Sequence, residues 1–160
     1  MTPHESRQQD AQHIAIAGVI AAVYAVLTIG LAPLSYGPLQ FRVSGVLKPA
    51  AMFSPVMAMA FAVGTLLANL FSPFGFWDWG CMPIVDALAA LVCWKLRRFG
   101  FASVLLQAVI VSAGVAVFPL GRGARMPILL GFAYVIGPQI ITAAIGWFLI
   151  WKPRGREVFR

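Results

Sequence analysis

Between His13 and Ala32 the chain runs for twenty residues without a single Asp, Glu, Lys or Arg. A helix of that length rises about 30 Å, the thickness of a bilayer's hydrocarbon core. The segment is too long for the apolar stretch of a signal peptide and no convincing cleavage pattern follows it, so it reads as a span. Further apolar stretches cover 41–53, 56–71, 79–94, 101–118 and 128–151. Of the 160 residues, 61% are hydrophobic and 11% charged, against about 45–50% apolar and about 25% charged in soluble domains. One water-soluble core of this size cannot hide so much apolar surface. The expectation is a single all-α integral membrane domain over 1–160, with six transmembrane helices and no internal repeat.

Charge sets the orientation. Lys95, Arg97 and Arg98 follow the fourth span, and Lys152, Arg154, Arg156 and Arg160 fill a basic tail at 152–160. Six spans put these clusters, together with Arg7, on one side with both termini, eight basic residues in all. The opposite loops hold three, Arg42, Arg122 and Arg125. The positive-inside rule then places both termini in the cytoplasm. Because the clusters flank apolar spans, they read as contacts to anionic headgroups and not as a nucleic-acid surface.

Ionisable groups inside a membrane cost roughly 2.5–3.5 kcal/mol each on insertion scales and tend to mark function. Two stand out. Lys48 falls roughly 9 Å below Arg42, and Asp86 roughly 10 Å into its span, if both run as α-helix. The two can meet at one depth, as a structural ion pair, as ligand contacts, or as both. Pro49 follows Lys48, Pro83 precedes Asp86 and Pro138 precedes Gln139. A proline inside a helix frees a carbonyl, which in lipid needs another partner. Broken helices beside polar groups build many transporter sites, although a proline also makes a plain packing kink. The turn "NLFSPFGFWDWG" brings Asn69, Trp77, Asp78 and Trp79 together; it reads either as a heterocycle site or as an interfacial aromatic belt. Ala17, Ala21 and Ala25 make a smooth face on the first span, suited to packing inside the bundle or against another subunit. Cys81 and Cys93 read as small buried hydrophobes. No metal-ligand cluster, nucleophile–base set or phosphate-binding loop appears, so no metal, cofactor or catalytic residue is expected and the chain does not read as an enzyme.

"AVYAVLTIGLAPLSYGPLQFRVSG" and "ANLFSPFGFWD" resemble the queuosine-precursor transporter family, the substrate-binding S components of energy-coupling factor (ECF) importers. The resemblance covers about Ala17 to Arg98 well and the rest in helix layout. It implies a six-helix bundle in the bacterial cytoplasmic membrane, capturing a small heterocycle of deazaguanine type near the outer face. Its implied partners are a membrane coupling subunit and two cytoplasmic ATPases that hydrolyse ATP. It assigns Ala17, Ala21 and Ala25 to docking on the coupling subunit. On this reading Tyr36, Gln40, Arg42, Lys48, Asn69, Trp77, Asp78, Trp79, Asp86 and Gln139 face the ligand. The family pattern continues "QFRVSE" where this chain has Gly45, and has a Gly-Glu pair where this chain reads Gly137-Pro138-Gln139. Asp86 or Asp78 then supplies the missing acceptor, or the ligand is another vitamin-like molecule. A membrane scaffold without transport is the competing reading from the residues alone.

Overall fold

The computed structural model describes residues 3–37 and 40–151, with side chains from residue 11 to residue 150 within them. The basic tail 152–160 and the side chain of Arg7 lie outside the described residues. The first helix, α1, spans Pro3–Gly30 and a single turn, α2, spans Ala32–Ser35. A ten-residue 3-10 helix, Val43–Met52, follows. Then come α3 (Pro55–Asn69), α4 (Phe76–Trp79), α5 (Met82–Lys95), α6 (Phe101–Val115) and α7 (Ile128–Gly146). The last two run on as π-helical segments, Ala116–Gly123 and Trp147–Trp151. There is no strand among the described residues.

Four helical stretches are long and apolar enough to cross a membrane: Ala11–Gly30, Phe76–Lys95, Phe101–Gly123 and Ile128–Ile150. Helix α3 is a shorter apolar helix, and the 3-10 helix is shorter still. Local chemistry explains the breaks. Ser54 caps α3 by accepting a hydrogen bond from the Met57 amide at 3.1 Å, and Pro55 opens the helix where its missing N–H costs nothing. Gly100, at φ 58°, turns the chain between α5 and α6, a left-handed conformation that glycine adopts without strain.

Two stretches differ from the sequence reading. The helix from Phe101 continues past Phe118 to Gly123, where a loop was expected from Pro119. The backbone absorbs that proline by widening: the Ala124 amide reaches back five residues to the Pro119 carbonyl at 2.9 Å. The second expected span is a 3-10 helix, which rises about 2.0 Å per residue. Lys48 therefore sits about 12 Å along the axis from Arg42, further than α-helical geometry gives.

Burial is arranged for lipid. Val19 and Val26 on α1, Val63 on α3, Ile84 and Leu88 on α5, and Leu129 and Ile141 on α7 are exposed. Arg42, Lys48, Asn69, Asp78, Asp86, Gln107 and Gln139 are buried. Aliphatic surface around a polar interior is what a bilayer solvent selects.

Helices α1 and α3 make the closest long seam. Ala17 and Ala21 pack with Met57 and Ala60. Gly64 lets the backbones approach, since a Cβ there would lie 3.0 Å from the Ala21 carbonyl oxygen. The alanines assigned to docking are thus internal: Ala17, Ala21 and Ala25 are only 6%, 5% and 6% exposed. On the other side of the core, α7 presses on the 3-10 helix. A Cβ on Gly146 would overlap the Val46 carbonyl oxygen, so only glycine fits there.

Candidate functional site

The 3-10 helix is tied to its neighbours by two buried ion pairs, one at its entry and one near its midpoint. At the first, Arg42 Nη2 donates to both carboxylate oxygens of Asp78 at 3.3 Å. Asn69 Nδ2 donates to the Asp78 side chain at 2.8 Å and to its backbone carbonyl at 3.1 Å. Ser72 Oγ donates to the other Asp78 carboxylate oxygen. Asp78 itself is fully buried in the short α4, and α3 ends at Asn69, so the turn between these helices delivers all three groups to one point.

At the second pair, Lys48 Nζ lies 2.7 Å from Asp86 Oδ1, and Thr65 Oγ1 donates to Asp86 Oδ2. Thr65 and Asn69 stand one helical turn apart on α3, so one face of that helix serves both carboxylates. Asp78 and Asp86, eight residues apart, are held on α4 and α5. The sequence expectation that Lys48 and Asp86 meet is realised here as a direct pair.

Above the first pair, the Arg42 guanidinium sits 5.7 Å from the Tyr36 ring centroid, in cation–π range. The Tyr36 hydroxyl donates to the Ala68 carbonyl, pinning the α2 turn on the end of α3. Burial pushes the Tyr36 phenol above its ordinary pKa against the pull of Arg42, so it remains a donor. Gln40 is fully buried with φ 43°, unusual for a residue with a Cβ, and neither end of its amide has a partner among the described residues. Strain and an unpaired amide at one residue are features that clamps for ligands accumulate.

A second polar region lies deeper. A narrow crevice between the 3-10 helix, α6 and α7 is lined by Gly45, Lys48, Gln107 and Gln139, with Val104, Ala108 and Ala143. It is too narrow to admit a water-sized sphere. Gly45 contributes backbone alone to this wall. Here a Cβ would lie 2.8 Å from Thr142 Oγ1, so the threonine occupies the volume a side chain would need. Gln139 comes from the proline-bearing stretch of α7, where Thr142 Oγ1 donates to the Pro138 and Gln139 carbonyls at 3.1 Å.

The aromatic residues divide. Trp77 is half-buried, stacked on Phe118 with centroids 6.4 Å apart, and Arg122 lies 5.3 Å from its ring. Trp79 is 40% exposed and packs edge-on against Phe76, away from the buried polar groups. Of the residues named from sequence, the structure joins Arg42, Asp78, Asn69 and Tyr36 at one point and Lys48 and Asp86 at another. Gln139 shares the crevice with Lys48. Three contributors escaped the sequence reading: Thr65, Ser72 and Gln107. Gln107 had a visible signal, since it is the sole carboxamide in an otherwise apolar span.

A multi-pass helical bundle with an aliphatic surface, and with its described acidic side chains paired inside, is an integral membrane protein built around a polar interior. The chain belongs to the QueT transporter family, which it matches over residues 14–153. A curated protein of Lactococcus lactis subsp. cremoris (strain MG1363), named "Queuosine precursor transporter QueT", is 41% identical over 56 residues, 34% of this chain. The matched stretch spans 33% of that relative's length. No solved structure matches the chain.

Proposed function

We propose that this protein is the substrate-binding S component of an ECF-type importer and captures a queuosine precursor of deazaguanine type at the outer face of a bacterial cytoplasmic membrane. The observation that carries the reading is the 3-10 helix with its cluster of buried polar side chains: two ion pairs hold it, and unpartnered amides remain beside them. A scaffold needs the ion pairs; it has no use for buried amides left without partners, each of which costs about 1–3 kcal/mol.

In this reading the chain crosses the membrane six times with both termini in the cytoplasm. The 3-10 helix and α3 then count as spans, the turn holding Asp78 faces outward, and the Lys95–Arg98 cluster faces inward. ATP hydrolysis falls to two separate ATPases acting through a coupling subunit. Docking on the coupling subunit is assigned to the α1 face of Ala17, Ala21 and Ala25, of which Ala17 and Ala21 also pack against Met57 and Ala60 of α3.

The test is the thermal stability of detergent-purified protein against queuine, deazaguanine precursors, guanine and several vitamins. A ligand at one hundred times its Kd adds about 2.7 kcal/mol, or roughly 5–11 °C in Tm for a chain of this size. A shift with a deazaguanine is the expected result. A shift only with a vitamin retires the queuosine assignment, and no shift with any compound retires the transport reading.

A further inference from the structure

Gln107 is 1% exposed on α6, and neither the oxygen nor the nitrogen of its amide has a hydrogen-bond partner among the described residues. It lines the same crevice as Gly45, Lys48 and Gln139. A buried carboxamide with both ends unpaired is unfavourable in the free protein, more so where no water fits to bridge it. Such a group is retained against that cost when something else supplies its partners.

The charges around it define what that partner is. Lys48 reaches the crevice already paired with Asp86 at 2.7 Å. Asp78 is already held by Arg42, Asn69 and Ser72. These two carboxylates are the acidic side chains among the described residues, and both are committed. An arriving cation meets no free acid here, and an anion meets an ammonium that is already neutralised. What the crevice offers is uncharged: one primary amide at Gln107 and a second at Gln139. A carboxamide presents one donor and one acceptor side by side. Its complement is a lactam edge, with adjacent N–H and C=O, as in an oxo-purine or deazapurine ring.

We infer that Gln107 is a specificity-determining residue of the ligand site, and that with Gln139 it selects an uncharged heterocycle with a lactam edge over one bearing a cationic arm. This rests on the transport function proposed above and deepens it. Binding widens the crevice and exchanges two unpaired amide ends for ligand contacts.

The experiment compares wild type, Gln107→Leu and Gln107→Met, each titrated with guanine, a cyano-substituted deazaguanine and an aminomethyl-substituted deazaguanine. Thermal unfolding gives both the stability without ligand and the affinity. Wild type is expected to bind the uncharged compounds at least tenfold more tightly than the aminomethyl compound. Both variants are expected to unfold at or above the wild-type temperature without ligand, yet to lose roughly ten- to hundredfold in affinity for the uncharged ligands. That opposite movement of stability and binding separates a ligand contact from a structural one. Variants that bind as wild type does refute the role of Gln107 and leave the transport function standing. So do variants that lose stability while keeping affinity. Wild type preferring the aminomethyl compound overturns the charge selection. Wild type binding none of the three refutes this inference and the queuosine assignment together.

Discussion

Lys48→Met is the perturbation whose size the structure fixes best. Lys48 and Asp86 have side chains 5% and 1% exposed, with Nζ and Oδ1 at 2.7 Å. Removing the ammonium leaves the Asp86 carboxylate inside the bundle with the Thr65 hydroxyl as its remaining hydrogen-bond donor. An unpaired charge left behind by a broken buried pair costs about 3–5 kcal/mol. For a chain of this length each kcal/mol moves Tm by roughly 2–4 °C, so the fall comes to roughly 6–20 °C. Asp86→Leu strands the lysine instead and falls in the same range. The double variant Lys48→Met/Asp86→Leu removes both charges and keeps apolar volume, so it recovers to within about 1–2 kcal/mol of wild type. The assay is thermal unfolding of the four proteins in one detergent, read as a double-mutant cycle. A Lys48→Met variant within about 1 kcal/mol of wild type refutes the claim that the charge is desolvated. A double variant no better than the worse single variant refutes the pairing. If the double variant also binds ligand as wild type does, the pair is structural and the crevice amides carry recognition alone.

Two glycines test the packing behind the site. Gly146→Ala forces a methyl into the Val46 carbonyl, a backbone atom that cannot swing aside, and is expected to lower Tm by at least the roughly 1–3 kcal/mol of overpacking. Gly137→Ala, with no atom within 4 Å of its Cβ, is expected to be harmless, and equal Tm values for the two variants refute the contact between α7 and the 3-10 helix. Gly45→Ala is expected to cost a similar amount because its Cβ meets Thr142 Oγ1 at 2.8 Å. Adding Thr142→Ala is expected to restore part of that loss; a double variant as unstable as Gly45→Ala shows that the threonine is not what fills the space.

Much of this was readable from the sequence because a bilayer makes charge expensive. Lys48 and Asp86 stood out as ionisable groups inside apolar runs, and estimates of depth alone brought them together. Arg42 and Asp78 were named individually, as residues facing the ligand, and their pairing is what the structure adds. Other features left no mark in composition. Nothing in "VSGVLKPAAM" announces a 3-10 helix; what accompanies it in the fold is the close approach of α7 at Gly146 and the ion pairs at Arg42 and Lys48. The alanine face of α1 was readable as a packing face, but spacing cannot say what packs on it; the answer needed Gly64, forty-seven to thirty-nine residues further along the chain from Ala17 to Ala25. The orientation of Trp79 was hidden for a similar reason. In the four-residue α4, Asp78 turns inward and its neighbour Trp79 is left outward on Phe76.

The arrangement of pairs bears on how binding and structure are linked. A 3-10 helix has poorer hydrogen-bond geometry than an α-helix, so ten residues of it hold their shape chiefly through what they touch. Both buried ion pairs end on this element or at its entry, and so does one wall of the crevice at Gly45 and Lys48. The crevice is too tight for water, so a ligand enters it only if α6, α7 or the 3-10 helix shifts. Helices α6 and α7 pack on each other through Val111, Val115 and Val135. The 3-10 helix is held by Arg42–Asp78 at its entry and by Lys48–Asp86 about 12 Å further on, near its midpoint, with Gly45 between the two. The entry of the same helix carries the strained, unpaired Gln40. Gly45, in the crevice wall, lies five residues from Gln40 on the same segment, so a ligand that wedges at Gly45 is expected to act on the segment that also positions Gln40.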